Sequence, residues 1–206
     1  MVALSLADGE RLVKAARQAI EIRLVSPHFK KEMVEKYIDK FNGDNGVFVT
    51  ISHYPTGELR GFMGTPGGTG TLKESLVDAA IAAATEDPGF VPLSHMEFEH
   101  IIITVSVLSR LERIRVKGDA RIKREIIIGK DGLIVQSGYR SALLLPSAPL
   151  ENGWTKEEFL ENLCMKAGLE NHAWRHSNVI LQKFRSQVFR ETSPGGLVEE
   201  ATYTTG

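Results

Sequence analysis

Between Glu58 and Thr71 one arginine, Arg60, stands among five glycines: Gly61, Gly64, Gly67, Gly68 and Gly70. Arginine carries a planar, permanently charged fork that matches a phosphate or carboxylate. Glycine lets backbone N–H groups approach a ligand closely. Thr71 and Glu74 have the spacing of a capping box, which puts a helix start, with its partial positive charge, directly after the glycines. The combination predicts a site for a small anionic or nucleotide-like ligand, formed by Arg60, Gly61, Phe62, Gly64, Thr65 and Gly68. Asp87 would orient Arg60 or accept a proton. The plainer alternatives are an arginine that ties strand to loop through backbone carbonyls, and an Asp87-Pro88 pair that only closes a helix. The stretch fits neither the P-loop pattern nor Gly-x-Gly-x-x-Gly, so ATPase and Rossmann-type readings fail. It contains no evident nucleophile or base. Catalytic residues and cofactor stay unassigned, and whether the chain is an enzyme stays open.

Other chemistry-bearing residues are more scattered. His172 and His176 are four apart, as two ligands on one helix face would be, but Ala173-Trp174-Arg175 between them lacks the glutamate of a His-Glu-x-x-His zinc site. No metal site is therefore assigned. Arg110, Arg113, Arg115, Lys117, Arg121, Lys123 and Arg124 form a basic interval broken by Glu112, Asp119 and Glu125. It could meet RNA or another acidic partner, yet it has no interleaved aromatics for base stacking, and a solvated connection is the plainer reading. Cys164, within Leu163-Cys164-Met165, is expected to be an inert core thiol.

The elements that would position these residues follow from periodicity and punctuation. Ser5 and Asp8 open a helix with Leu12, Ala16, Ala19, Ile20 and Leu24 on its apolar face, limited by Pro27. Val47 to Tyr54 and Glu58 to Met63 read as a hairpin around Pro55-Thr56-Gly57. The helix after Thr71 presents Leu76, Ala79, Ala80 and Ala83, and Asp87-Pro88-Gly89 ends it. Glu99 to Leu108 reads as a strand buried on both faces. A second β region is expected at Ile122 to Ile128, Leu133 to Gln136 and Arg140 to Leu145. Thr155 and Glu158 cap another helix that stops at Gly168, and His176 to Phe189 reads as one long strand. Helices and strands do not alternate regularly, so the fold class is α+β, with a mainly antiparallel sheet and flanking helices. Residues 1–193 are expected to form one domain and 194–206 a loose tail.

Composition narrows the setting. A chain of 206 residues, 42% of them hydrophobic, can bury roughly 70% of its unfolded surface. A net charge of -1 gives no global field for nucleic acid, so nucleic-acid binding would need a local patch. One cysteine excludes an internal disulfide and fits a reducing, cytoplasmic setting. No signal sequence or membrane-length apolar run is visible, so no membrane partner is expected.

Several of these segments together resemble the AMMECR family. Leu59-Arg60-Gly61-Phe62-Met63-Gly64-Thr65 is similar to its Leu-Arg-Gly-Cys-Ile-Gly signature. Ala82-Ala83-Ala84-Thr85-Glu86-Asp87-Pro88-Gly89-Phe90-Val91-Pro92-Leu93 is similar to its Ala-Ala-x-x-Asp-Pro-Arg-Phe-Pro-Pro-Leu segment, and Val105-Ser106-Val107-Leu108 to the strand that follows. Gly129-Lys130-Asp131-Gly132-Leu133, Leu143-Leu144-Leu145-Pro146, Gly153-Trp154 and Lys166-Ala167-Gly168-Leu169 look like its archaeal branch. The resemblance implies a larger and a smaller subdomain around a ligand-binding cleft, in a family without an established activity. It also implies a gene association with Memo-like and radical SAM proteins, which makes these candidate partners and the chain a candidate interaction module. Two positions depart from the pattern. Phe62 stands where the family signature has cysteine, so no thiolate chemistry operates from that position. Gly89 replaces the usual arginine.

Overall fold

A computed structural model of the chain describes residues 3–26, 28–67 and 70–202. The order of elements is α1 (Leu6–Val25), α2 (Glu32–Glu35), β1 (Asn45–His53), β2 (Leu59–Gly67), α3 (Leu72–Thr85), α4 (His95–Phe98), β3 (Ile101–Leu108) and β4 (Glu112–Arg113). It continues with α5 (Asp119–Arg124), β5 (Gly132–Ser137), β6 (Arg140–Leu144), α6 (Ala148–Glu151), α7 (Lys156–Lys166), β7 (Ile180–Phe184), β8 (Ser186–Glu191) and β9 (Val198–Glu200). The architecture is α+β, with two sheets and flanking helices.

The chain divides into two compact units. One holds the described residues up to Leu108 together with Gln187–Ala201; the other is Ser109–Ser186 with Thr202. In the first unit the strand order is β2-β1-β3-β8-β9, and β1 pairs antiparallel with both β2 and β3. Val47, Val49 and Ile51 on β1 alternate onto one face and are fully buried, with α3 packed against this strand. The four-fold spacing of small residues on α3, including Ala79, Ala80 and Ala83, lets this helix approach the sheet closely. Capping boxes at Ser5/Asp8 and Thr71/Glu74 start α1 and α3 as their sequence spacing predicts.

The C-terminal strands are fastened to this unit by a buried ion pair. Arg17 on α1 reaches Glu191 on β8 through two bonds, Nε to Oε1 at 2.5 Å and Nη2 to Oε2 at 2.6 Å. Glu191 is 3% exposed and also accepts the Ile103 N–H, so its carboxylate is held by three donors from two chain segments.

In the second unit the strand order is β4-β7-β5-β6, with α7 packed on β5 and β6. Phe159, Leu160, Leu163 and Cys164 from α7 meet Leu133, Val135, Trp174 and Leu181 in a separate core. Burial pushes the Cys164 thiol up, which agrees with an inert side chain.

Three expectations change. Ile122 to Ile128 is not a strand: α5 occupies its start, and Ile122 is buried from that helix while Ile126 is buried from the irregular stretch that follows it. Aliphatic runs this short suit either element until packing decides. The long strand expected from His176 to Phe189 is two, β7 and β8, which belong to different sheets and part at Arg185. Within 194–206, Val198–Glu200 form β9 on β8, with Val198 buried in the core.

Candidate functional site

The signature strand β2 is the edge of its sheet. Its two internal glycines are there for close approach rather than for turning. A Cβ on Gly61 would lie 2.2 Å from the Ala83 carbonyl oxygen of α3, and one on Gly64 2.2 Å from the Val47 carbonyl oxygen of β1. Both contacts are with backbone, which cannot swing aside.

Phe62 has its side chain on the face of the sheet turned away from α3, stacked on Phe48 with ring centroids 5.0 Å apart. Its N–H donates to Asp87 Oδ2 at 2.7 Å, while Asp87 Oδ1 accepts from Gly89 N at 2.9 Å. Asp87 thus ties the end of α3 to the outer edge of β2, and among the described residues the carboxylate paired with Arg60 is that of Glu97 instead. Since antiparallel N–H groups alternate in direction, the outward N–H at Phe62, opposite Thr50, puts the Gly64 N–H, opposite Phe48, on the same outer edge.

Arg60 is buried, 6% exposed, and its charge is met inside the protein. Its Nε donates to Glu97 Oε1 at 2.9 Å, and the guanidinium lies 5.8 Å from the Phe90 ring centroid. Nη2 is buried without a hydrogen-bond acceptor. Glu97 has two roles: its Oε2 accepts from Ser94 N at 2.9 Å and Ser94 Oγ at 2.7 Å, completing the capping box of α4. The Arg60 bond first, then those from Ser94, hold the Glu97 carboxyl down to about 2. Gly68 lies outside the described residues.

A cavity of about 600 Å3 opens along β2 at Met63–Thr65. Met63, Gly64 and Thr65 form one side, Glu74, Ser75, Asp78, Ala79 and Ala82 of α3 another, and Lys31, Glu35 and Gly70 complete it. Its electrostatics are set by three carboxylates and one ammonium. Lys31 pairs with Asp78, and Glu74 is held below the ordinary range by its bonds to Thr71. Glu35 is pushed up by partial burial and by the charges of Glu32, Glu74 and Asp78. Ser75 is 8% exposed, and its hydroxyl has no hydrogen-bond partner among the described residues. Its Oγ lies 3.9 Å from where a Cβ on Gly70 would stand. Of the residues expected at the site, Gly64 and Thr65 line this cavity, whereas Arg60, Gly61, Phe62 and Asp87 are not among its lining residues. Lys31, Glu35 and Asp78 carry no local motif, and only the fold gathers them.

In the second unit His172 Nδ1 lies 3.1 Å from Glu161, and His176 lines another cavity with Arg113, Arg115 and Lys117. Among the described residues no group of three or more His, Cys, Asp or Glu side chains could hold a metal ion. No described helix is long and apolar enough to cross a membrane.

Comparison with known proteins places this geometry in a family. The AMMECR1 family model matches residues 13–189. Protein MJ0810 of Methanocaldococcus jannaschii is 42% identical over 197 residues, covering 96% of each chain. Protein MK0488 of Methanopyrus kandleri is 42% identical over 198 residues, covering 96% of this chain and 95% of its own. The crystal structure of uncharacterized protein PH0010 from Pyrococcus horikoshii superposes with a TM-score of 0.89 at 37% identity, covering 95% of this chain and 97% of that one. The chain belongs to the AMMECR1 family.

Proposed function

We propose that the protein binds a small organic cation, such as a linear amine, in the cavity along the Met63–Thr65 edge of its signature strand. The observation that carries this reading is the lining: Glu35, Glu74 and Asp78 against the single cation Lys31, with the unpartnered Ser75 hydroxyl at the cavity wall. A low-dielectric concavity with an excess of carboxylates draws positive charge. An anion at Arg60 would have to compete with Glu97 for Nε, and an anion in the cavity would meet a field of the wrong sign, so the motif contributes its Gly64 and Thr65 edge rather than its guanidinium.

Calorimetric titration with spermidine at physiological salt tests this. Spermidine binding that weakens at least tenfold in Asp78→Asn and is blocked by Ala82→Phe supports the reading. Binding unchanged in Ala82→Phe, or no binding at all, overturns it.

A second reading has its own observation. Leu59, Val91 and Met96 are 51%, 76% and 84% exposed and are the sequence neighbours of Arg60, Phe90 and Glu97. Apolar side chains around a rigid ion pair suit a protein partner of the Memo-like or radical SAM kind. Coexpression and pull-down of such a partner, lost in Met96→Lys but retained in Ala82→Phe, would favour docking over ligand binding.

A further inference from the structure

The strongest unassigned site lies in the second unit. We infer that the cavity between the Arg113–Lys117 segment and the Trp174–Ser177 turn binds a small phosphorylated molecule, its phosphate on the guanidinium rim and its apolar or planar part on the floor beside Trp174.

The cavity encloses about 290 Å3, enough for a ligand of nucleoside monophosphate size. Its charge comes from the alternation Arg113-Ile114-Arg115-Val116-Lys117. Ile114 is buried and Val116 packs against the same core, so both apolar side chains face inward. The three cations between them are exposed at the rim. None of the three has a carboxylate partner among the described residues, and no acidic residue lines the cavity. Arg175, a fourth cation, is placed by Asp119 at 2.9 Å and Glu157 at 2.7 Å and lies 4.8 Å from the Trp174 ring centroid. The floor is apolar, from Ile122, Val179, Leu181 and Trp174.

A second, independent observation points to a ligand. Trp174 is 2% exposed, and its Nε1–H is buried without an acceptor. Buried indole N–H groups normally find one. A bound molecule carrying an acceptor would supply it, and unpaired guanidinium groups at the rim recognise phosphate through two parallel bonds. A single rigid pocket of this volume, with one aromatic side chain at its floor, suits a monomeric ligand. It does not provide the repeated stacking surfaces used along single-stranded RNA.

The test uses the full chain and adenosine monophosphate as probe, followed by calorimetry and by the indole Nε1–H resonance of Trp174, which a Trp154→Phe variant assigns. The expected result is saturable binding that shifts this resonance, weakens with added salt, and falls at least tenfold in Arg113→Ala/Arg115→Ala. Both substituted side chains are exposed, so the fold is retained, and circular dichroism checks that. Adenosine and inorganic phosphate should each bind more weakly than the monophosphate. The inference is overturned if the monophosphate gives neither heat nor a resonance shift, if the double variant binds as well as the parent, or if inorganic phosphate binds as tightly as the nucleotide. Binding of an RNA oligonucleotide with no response to the monophosphate would also overturn it, in favour of a polymer-binding surface. The first unit's cavity plays no part in these readouts, so Asp78→Asn leaves them unchanged.

Discussion

Arg60 and Glu97 are 37 positions apart in the chain, and no local spacing links them. What the sequence shows at Arg60 is a cation among glycines, and such a cation is equally suited to an external anion or to an internal carboxylate. The choice depends on where α4 lands, and the Ser94/Glu97 box that starts α4 brings the carboxylate to the guanidinium. Glu97 then carries a pH dependence with a definite sign. Its folded value, about 2, lies below the ordinary 4.5, so its contribution is fully present above pH 4.5 and is lost as pH falls toward 2. The side chain is 34% exposed, so after solvent screening this amounts to on the order of 1–2 kcal/mol. Glu97→Gln should lower stability by about that much at pH 6 and differ little from the parent near pH 2.5. Urea midpoints measured across this range check it, and a gap that stays constant with pH would show that the charge of Glu97 contributes nothing to stability.

At the scale of elements, the parts with strong local signals were legible. α1, α3 and α7 each begin at a Ser or Thr followed three positions on by an acidic residue, and the β1–β2 hairpin is framed by β-branched runs and a Pro-Thr-Gly turn. The failures fall where tertiary pairing decides: Ile122 on α5, the division of His176 to Phe189 between two sheets, and β9, which exists through its pairing with β8. The glycines of the signature were legible as important but not in their role. Gly61 marks where the Ala83 turn of α3 rests on β2, a contact between backbones that only a missing side chain permits. Gly61→Ala should therefore destabilise by about 1–3 kcal/mol, the usual cost of overpacking where neighbours cannot yield. A lower urea midpoint with an unchanged slope is the expected result; an unaltered midpoint would mean that α3 slides freely along the strand. The cavity is legible only in part, through Gly64, Thr65 and Glu74, since Lys31, Glu35 and Asp78 reach it from a loop and two helices.

At the scale of the whole molecule, the two cores differ in how the chain builds them. The first is discontinuous, made of the described residues up to Leu108 and of β8 and β9, and Arg17 and Glu191 join its N-terminal and C-terminal segments. The second is built almost wholly from one stretch, Ser109–Ser186, and the ends of that stretch are bonded to each other. Ser109 N–H donates to the Arg185 carbonyl at 2.7 Å, and Arg185 N–H donates to Ser109 Oγ at 2.9 Å. A unit that leaves and re-enters the chain at one point has the form of an insertion, and such units commonly fold when cut out at that point. Its core contains Trp174, Phe159, Leu160 and Leu163 at 2% exposure or less, which is substantial for so short a segment. The fragment 109–186 should therefore fold alone with a stability of a few kcal/mol, show near-ultraviolet circular dichroism from Trp154 and Trp174, and unfold in a single urea transition. Shortening it to 114–181 removes both Ser109–Arg185 bonds and the Arg113–Gln182 register of β4 with β7, and should abolish that transition. If the longer fragment also lacks near-ultraviolet structure, the second core does not stand on its own contacts, and the insertion reading fails.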